Sequence, residues 1–538
     1  MKTNKLRLVC LLLFCMHALA ACAQEDQLKN IPELSLPVAD KKMVIAHCMT
    51  NIIRYKGHKL EDSCNPDYYA PTGNITQPLG GLTQVYVTSD KLLQNASLDE
   101  AVEFEMRAAI KSGIDGFQFY YTLGNTDWDD IIKAYLRVAT KKNIDFKFTF
   151  CISHPYGSTE TEKIAEFAKR INSIMAEAGH DNKHWLRTPD GRLFIYMWYG
   201  EALADVPANA PKPEAYYVAH AYKRLADAVH EKFACIYSIN EEITPKKLDD
   251  YLDYFPATWV WTLAYTDHYA GWRIAETCKK RNRTFMGSTF ADFYTSKLLK
   301  KGTWDMFHYA EEAVKAGIPN VERKYMITGL SYNFRKLWEF GIQQNVSVMN
   351  IITWNDYPEG HHIAPEINHN DGFAVLLNQY KSMWKKEASP YANKDVAVVF
   401  FKKYNHTLQP DPYNIKVVNF QEGALPASSE DSVEVVAILQ APGMICVKNT
   451  QINAPFGLSS HKFAAASGAV NVAVKRGNAV VAEVNPPEWI TGKPYRSDRI
   501  TYALSSEYEA FARDLFGDMP LATSHEYNEK YEVRNTKH

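Results

Sequence analysis

The strongest constraint on the fold is a regular alternation of short β-type runs and helical patterns between about residues 40 and 390. Eight runs rich in β-branched, aromatic and other apolar residues are strand candidates: 43–47, 114–121, 146–152, 193–198, 235–239, 258–263, 284–288 and 346–353. Helical spacing follows each of them, at 98–111, 128–141, 159–178, 215–232, 245–254, 271–280, 332–343 and 376–384. Eight successive strand–helix units predict an α/β fold, a parallel (β/α)8 TIM barrel with the helices outside.

The pattern changes after residue 386. Short runs with near period-2 alternation follow at 396–401, 414–418, 432–439, 444–449, 470–475 and 479–484, separated by Gly, Pro, Asn and Ser. Helical spacing returns only at 506–516. This pattern predicts a C-terminal antiparallel β-sandwich domain, so we place the catalytic barrel at 41–390 and the sandwich at 391–538.

The first residues have the composition of an export signal. Lys2, Lys5 and Arg7 precede the apolar run 8–14, and small residues lead to Cys22. We predict a signal peptide at 1–21, a lipidated Cys22 and a polar tether at 22–40. The protein would then be an outer-membrane or cell-surface lipoprotein that associates with the membrane through its lipid anchor only. The alternative is ordinary cleavage, in which Cys22 has no special role.

Charge and cysteine spacing exclude several classes of function. The 60 Lys and Arg nearly balance the 62 Asp and Glu, so no basic face is expected and nucleic acid is not a predicted partner. The cysteines show no CxxC spacing, so no cysteine metal site is predicted. The sequence allows either a Cys48–Cys64 disulfide or buried cysteines that are not bonded to each other. It does not predict the oligomeric state.

Candidate catalytic residues follow the eighth strand run. Active sites of these barrels lie at the carboxyl ends of the strands, and residues 353–362 form the densest polar and aromatic group among those ends. Asp356 and Glu359 stand three residues apart in this segment. Two carboxyl groups in an aromatic cleft can hydrolyse a glycosidic bond, one as acid and the other as base or nucleophile. The structural alternative is that Asp356 caps a helix and Glu359 forms a surface salt bridge.

Further residues near the strand runs are candidates for contact with the substrate. Aromatic residues make up 13% of the chain, which fits either two large cores or platforms for sugar rings. The candidates for substrate binding are His47, Asp115, Trp198, Trp259, Trp261, Tyr294, Asn355, Tyr357 and His361. For each, burial in the core is the alternative. No cofactor is expected, and the His and carboxylate spacing at 359–371 matches no metal motif, so no metal is predicted.

The segment at 352–363 resembles a known family. Its sequence, ITWNDYPEGHHI, is similar to the TWNDYGESHYI segment of glycoside hydrolase family 71, the α-1,3-glucanases or mutanases. The resemblance extends to 43–47 and 113–117, and in outline to the sandwich. It implies an inverting, endo-acting α-1,3-glucanase whose catalytic pair is Asp356 and Glu359, with a polysaccharide as the partner molecule.

Departures from that family leave two other readings open. Pro358-Glu359-Gly360 stands where the fungal enzymes have Gly-Glu-Ser, and the loops after strands one and seven do not resemble theirs. The same segment is also similar to the NEWHEG-like segment of family 99, the endo-α-mannosidases and mannanases. A surface glycan-binding lipoprotein that kept the barrel without catalysis is the third reading.

Overall fold

The computed structural model describes residues 28–29, 34, 41–60, 88–240, 243–295, 297–307, 310–408, 416–421, 425–494 and 499–517. The predicted signal peptide, Cys22 and most of the predicted tether lie outside these residues and stay predictions. Within the described ranges, no helix has both the length and the apolar character needed to cross a membrane.

Eight parallel strands close into a barrel. The first seven are Met43–Cys48 (β1), Gly116–Tyr121 (β2), Lys147–Ser153 (β3), Leu193–Trp198 (β4), Phe233–Ile239 (β5), Ala257–Val260 (β6) and Thr284–Thr289 (β7). An excursion then carries Leu299–Lys300 (β8) and Val321–Tyr325 (β9), before Val348–Ile351 (β10) closes the barrel between β7 and β1. The order around the ring is β1-β10-β7-β6-β5-β4-β3-β2, which confirms the predicted TIM barrel.

The helices form from amphipathic runs, and three of them begin at a capping Ser or Thr. They are Thr88–Leu93, Leu98–Lys111, Asp127–Lys142, Glu160–Ala178, Glu214–Val229, Pro245–Leu252, Gly271–Lys280, Ala310–Ala316, Tyr332–Gln343, Gly372–Lys385 and Tyr508–Phe516. Ser97 begins the second of them with a capping box, in which its hydroxyl accepts the Glu100 N–H and the Glu100 carboxylate accepts the Ser97 N–H. Such caps satisfy backbone donors that the first helical turn leaves unpaired.

Two antiparallel sheets follow the barrel. Their region contributes Val396–Phe401 (β11), Lys416–Asn419 (β12), Ser432–Leu439 (β13), Gly443–Val447 (β14), Thr450–Ala454 (β15), Gly457–Ala464 (β16), Gly468–Ala469 (β17), Val472–Arg476 (β18), Ala479–Val484 (β19), Trp489–Ile490 (β20) and Tyr502–Ser505 (β21). One sheet has the order β16-β13-β11-β21 and the other β15-β14-β18-β19. Apolar residues of both sheets share one core, as a sandwich requires.

Strand β11 of the first sheet is buried on both faces. Successive side chains of a strand point to opposite faces, and in β11 Ala397, Val399 and Phe401 enter the sandwich core. The alternate residues Val396, Val398 and Phe400 pack into the core shared with the barrel. The uninterrupted apolar sequence of β11 is therefore explained by two partners, the second sheet and the barrel.

One strand was assigned to the wrong partner. The run at 414–418 was predicted as part of the sandwich, but β12 pairs in parallel with β9 in the excursion between β7 and β10. The short run carries no information about its partner, because any exposed strand edge offers the same backbone groups. This pairing brings residues of the C-terminal region to the barrel mouth.

A buried ionic cluster joins the barrel to the sandwich. Asp292, just after β7, lies 3.2 Å from the ammonium of Lys402 and accepts the backbone N–H of Thr501 at 2.6 Å. Nearby, the Glu434 carboxylate accepts from Arg335 at 2.8 Å and from the Ser331 N–H at 2.9 Å. Both carboxylates are buried, so their charge depends on these partners.

The described cysteines form no disulfide with one another. They are Cys48, Cys151, Cys235, Cys278 and Cys446. Cys64, the possible partner of Cys48, lies outside the described residues.

Candidate active site

The segment after β10 forms a tight turn whose shape follows from its sequence. Residues Tyr357–Glu359 make one turn of 3-10 helix, with Pro358 in its first turn. The Asp356 side chain caps the turn by accepting the Glu359 N–H at 3.2 Å. Gly360 ends it at φ +70°, where a Cβ atom would lie 3.1 Å from backbone atoms of Tyr294. The turn therefore fixes the backbone under both carboxylates.

Contacts on both sides hold this turn against the barrel. The Trp354 indole N–H donates to the buried Glu105 carboxylate at 2.6 Å, and its backbone N–H donates to the His47 carbonyl at 2.7 Å. The Asn355 amide accepts the Met49 N–H at 2.8 Å and donates to the carbonyls of Met49 and Ile52. Asn355 therefore positions the loop after β1.

Asp356, Glu359 and His361 meet at the barrel mouth. One oxygen of each carboxylate and a ring nitrogen of His361 lie within 4.8 Å of one another. The His361 Nε2 atom is 3.2 Å from Glu359 and 3.9 Å from Asp356, so the imidazole bridges the two carboxylates. His361 and Asp356 are buried, whereas the Glu359 side chain is 20% exposed.

Lys297 sets the charge of Glu359. Burial alone would raise the pKa of Glu359, but the Lys297 ammonium at 2.9 Å and the hydrogen bond with His361 together hold that pKa below its ordinary value. Glu359 is therefore ionised at neutral pH. Asp356 does cap a turn and Glu359 does form an ion pair, as the structural alternative expected, but both lie at a cavity and not on an open surface.

A cavity of about 740 Å³ opens above this group. Its walls come from strand ends and loops on several sides of the barrel: His154, Trp198, Tyr199, Asn240, Trp261 and the residues that follow it, Phe293, Trp304, Glu359, Phe420 and Gln421. A cavity at the carboxyl ends of barrel strands is the usual place for a substrate in this fold.

One wall of the cavity is a cluster of aromatic rings. The centroids of Trp198 and Trp261 are 4.7 Å apart, and His154 packs edge-on to Trp198 at 4.3 Å. Tyr199 stacks on His154 at 4.9 Å and is 39% exposed. Burial lowers the pKa of His154 to about 4, so its imidazole is neutral near pH 7 and can donate or accept a hydrogen bond.

The predicted site residues separate into two groups by location. Glu359, Trp198 and Trp261 line the cavity, and Asp356 and His361 lie beside Glu359. The others at this end of the barrel are buried around the cavity without lining it: His47, Trp259, Tyr294, Asn355 and Tyr357.

His47 and Trp259 lie deeper in the barrel than expected for residues that touch a substrate. His47 packs among aromatic rings, 4.9 Å from Trp261, and burial lowers its pKa to about 3. The Trp259 indole N–H donates to the Met197 carbonyl at 3.2 Å. Trp259 and Trp261 lie on the same face of the strand run 258–263, but only Trp261 lines the cavity at the barrel mouth.

Asp115 does not join the site. It lies just before β2, at the opposite end of the barrel, where its carboxylate accepts the Val44 N–H at 2.9 Å. Lys381 pairs with it at 2.6 Å. The expectation that Asp115 contacts substrate is corrected, because the residue precedes its strand and belongs to the face that supports stability.

Besides lining residues at strand ends such as His154 and Asn240, four residues of the site stand outside the predicted set: Lys297, Trp304, Phe420 and Gln421. The first two lie in the excursion between β7 and β10, which is long for a loop of this fold. The last two follow β12, which was assigned to the sandwich. No local motif marks any of the four.

A second histidine–carboxylate group lies behind the turn. His362, Glu366 and His369 have side-chain atoms within 4.8 Å of one another, which is compatible with ligands of one ion. However, Glu366 accepts the backbone N–H groups of Asn368 and His369, and the His369 Nδ1 atom is bonded to the His362 carbonyl at 3.0 Å. Because the Glu366 carboxylate is engaged by these backbone groups and lies 2.9 Å from the His362 Nε2 atom, internal contacts hold the cluster together, and we assign it a structural role.

Comparison with known proteins identifies a family over part of the chain. The model of glycosyl hydrolase family 71 matches residues 324–498, about a third of the chain, which include the turn with Asp356 and Glu359. This confirms the resemblance over that range and supports an enzyme that hydrolyses glycans. A comparison with curated proteins gives no match.

Solved structures of glycosidases resemble the fold at low scores. The GH99 endo-alpha-mannosidase from Bacteroides thetaiotaomicron is 12% identical, with a TM-score of 0.40, over 65% of this chain and 98% of that chain. A glycosyl hydrolase family 2 member from Bacteroides cellulosilyticus has a TM-score of 0.38 at 12% identity, over 72% of this chain and 43% of that chain. The family 1 b-glucosidase from Thermotoga maritima has a TM-score of 0.33 at 9% identity, over 66% of this chain and all of that chain.

Proposed function

We propose that the protein is a glycoside hydrolase that cleaves α-1,3-glucan, or a related α-glucan, with Asp356 and Glu359 as its catalytic pair. The observation that supports this most is the meeting of both carboxylates and His361 within 4.8 Å at an aromatic-walled cavity. The choice of α-1,3-glucan rests on the family 71 match.

The charges suggest a division of roles. Glu359, held ionised by Lys297 and His361, is suited to take a proton from water. The acid role then falls to Asp356, which would give its proton to the leaving glycosidic oxygen. The water oxygen bonds to the anomeric carbon as that glycosidic bond breaks, so one sugar gains the hydroxyl and the other gains the proton.

The proposal includes inversion at the anomeric carbon, which requires a certain distance between the two carboxyl groups. Inverting enzymes hold their carboxyl groups about 6.5–9.5 Å apart to admit water, whereas retaining enzymes hold them about 5–5.5 Å apart. Here the nearest oxygens are within 4.8 Å. We therefore expect the Glu359 side chain to turn away from Asp356 when substrate and water enter.

A product assay tests the substrate and the stereochemistry together. The purified protein is incubated separately with insoluble α-1,3-glucan and with α-mannan, and the first anomer released is identified by NMR. We expect sugar from α-1,3-glucan, first as the β-anomer. Release from α-mannan alone would favour the family 99-like reading, and an α-anomer would overturn inversion. Tight glycan binding without release from either polymer would favour the non-catalytic reading.

Removing the Lys297 charge should shift the pH dependence of the reaction. In Lys297→Met the burial of Glu359 is no longer offset by the ammonium, so the pKa of Glu359 rises. Glu359 of the wild type stays ionised far into the acidic pH range, whereas Glu359 of the variant takes up its proton at a higher pH. We therefore expect the acid limb of the kcat/KM profile to move to higher pH.

Lys300→Met is the matched control for that profile, because Lys300 is exposed in the same loop and lies outside the cavity lining. A shift of the alkaline limb in Lys297→Met would mean that Glu359 is the acid. A kcat/KM profile in which neither limb moves in Lys297→Met would contradict a catalytic role for the charge of Glu359.

A further inference from the structure

We propose that Trp304 is a sugar-binding platform in the cavity, and that the C-terminal region completes this subsite through Phe420 and Gln421. The ligand would be a pyranose ring of the glycan chain, at a distance from the bond that is cleaved. This inference rests on the proposed function and adds to it the place where the glycan chain is bound.

Trp304 is about half exposed at the cavity. The residue is 54% exposed and lines the same cavity as Glu359. The Lys324 ammonium lies 4.0 Å from the centre of its ring and so covers one face. With one face covered and half of the residue exposed, the open part of the ring is available for the apolar C–H face of a sugar.

Two phenylalanines hold this indole in place. Phe420 meets Trp304 at a centroid distance of 5.1 Å and an interplanar angle of 79°, and Phe293 meets it at 6.3 Å and 86°. Phe293 and Phe420 are themselves 4.8 Å apart. Rings packed at steep angles on the indole restrict its movement, so the platform is oriented before a ligand arrives.

Gln421 ties the platform to the next loop of the cavity wall. Its side-chain oxygen accepts the Ala264 N–H at 2.9 Å, and its amide donates to the Thr262 carbonyl at 2.7 Å. Thr262 and Ala264 also line the cavity. The segment after β12 therefore joins the loops after β6 and β7 into one wall.

The position of Trp304 distinguishes it from other exposed aromatic residues. Of the exposed large hydrophobic side chains in the described part of the chain, only Tyr199 and Trp304 line this cavity. Trp304 follows β7, whereas Tyr199 follows β4, and in the ring order β4 lies opposite β10, the strand that carries Glu359. A glycan that contacts both residues would have to span the cavity that Glu359 also lines, so chain length should govern how much Trp304 contributes.

Substitution of the platform should affect long substrates more than short ones. In Trp304→Ala and Phe420→Ala we expect KM for a long α-1,3-gluco-oligosaccharide to rise about five- to tenfold, in keeping with the strength of a single ring contact. For a short oligosaccharide, which would not extend to the platform, the rise in KM should be smaller. Trp304→Phe, which keeps an aromatic ring, should recover most of the lost affinity.

Trp489→Ala is the matched control. Trp489 is 37% exposed on the sandwich and also lies beneath a lysine, Lys403, whose ammonium is 5.2 Å from its ring centre, but it does not line the cavity. This variant should bind and cleave all lengths as the wild type does.

Binding to protein that cannot cleave provides the second readout. Calorimetric titration of Glu359→Gln with the same oligosaccharides should show affinity that rises with chain length, and adding Trp304→Ala should remove most of that rise. Unchanged KM and affinity in Trp304→Ala, or an equal loss at every length, would overturn the subsite.

The two proposals can fail separately. If wild type cleaves α-1,3-glucan and the Trp304 variants match it at every length, only the subsite is overturned. If wild type instead cleaves α-mannan, the α-1,3-glucan assignment is overturned. The same variants are then compared on α-manno-oligosaccharides, where an unchanged KM overturns the subsite as well.

Discussion

Asp356→Asn and Glu359→Gln should each lower kcat/KM on the cleaved glycan by about 100- to 10,000-fold, the range typical of losing a general acid or base. Both changes keep the size and the acceptor oxygen of the side chain. Asn is as good a cap as Asp, so the turn that begins at Asp356 should persist. The loss should therefore come from the chemistry and not from unfolding.

Kinetics on soluble oligosaccharide, together with a thermal unfolding midpoint for each variant, would measure this effect. Asp181→Asn is the control, since Asp181 is exposed and precedes β4 at the far end of the barrel from the cavity. We expect that variant to match the wild type. Activity within tenfold of wild type in either catalytic variant, with the fold intact, would remove the carboxylate pair from the proposed mechanism.

The largest effect on stability is expected at the buried cluster between the barrel and the sandwich. Asp292→Asn removes the charge that faces the ammonium of Lys402, and both residues are almost completely buried. Leaving a buried charge without its partner typically costs about 3–5 kcal/mol. We expect the free energy of unfolding in urea to fall by roughly that amount, with Glu430, 3.7 Å from Lys402, limiting the loss.

The exposed pair Lys223–Asp227 gives a matched comparison. Its side chains are 53% and 63% exposed, and Asp227→Asn should change the free energy of unfolding by less than about 1 kcal/mol. Equal effects of Asp292→Asn and Asp227→Asn would mean that the buried cluster adds no more than a surface pair.

The effect of Asp292→Asn should also depend on pH. Burial would raise the pKa of Asp292, but Lys402, His369 and the bonds from Thr501 hold that pKa below its ordinary value. A carboxylate with a depressed pKa in the folded state contributes its stability above the unfolded pKa, and that contribution is lost as the pH falls through the folded one. The difference between wild type and variant should therefore shrink in acid.

The sequence predicts the barrel well because the patterns that mark its strands and helices are local. The helices Leu98–Lys111, Gly271–Lys280 and Tyr332–Gln343 begin and end where the amphipathic spacing does. The strand β4 likewise coincides with its apolar run. The partner of a short strand is not a local property, and for this reason β12 was placed in the sandwich and not beside β9.

The strands missed in the sandwich have weak patterns. In β16 the sequence GLSSHKFA has one well-buried residue, because most of the strand is half-exposed. β21 is only four residues long. Neither gives the clear alternation of apolar and polar residues that marks a strand with one buried face.

For the candidate site, one segment of sequence predicts the carboxylates and their histidine, while the residues around them come from distant segments. Lys297 and Glu359 are 62 residues apart and Gln421 reaches back 157 residues to Ala264, so no spacing rule could join them. Asp115 is predicted as a substrate contact although it stands at the beginning of the strand run 114–121 and not after its end. The rule that active sites follow the strands would have excluded it.

The wall formed by Phe420 and Gln421 limits how this molecule can be rearranged during evolution. Recombination that replaced the region after residue 390 with an unrelated one would keep the eight barrel strands, Asp356 and Glu359, yet remove Phe420 and Gln421 from the wall of the cavity. The barrel and the C-terminal region should therefore be inherited together, and a substitution in the loops after β6 or β7 should select for compensating changes more than 100 residues downstream, around Gln421.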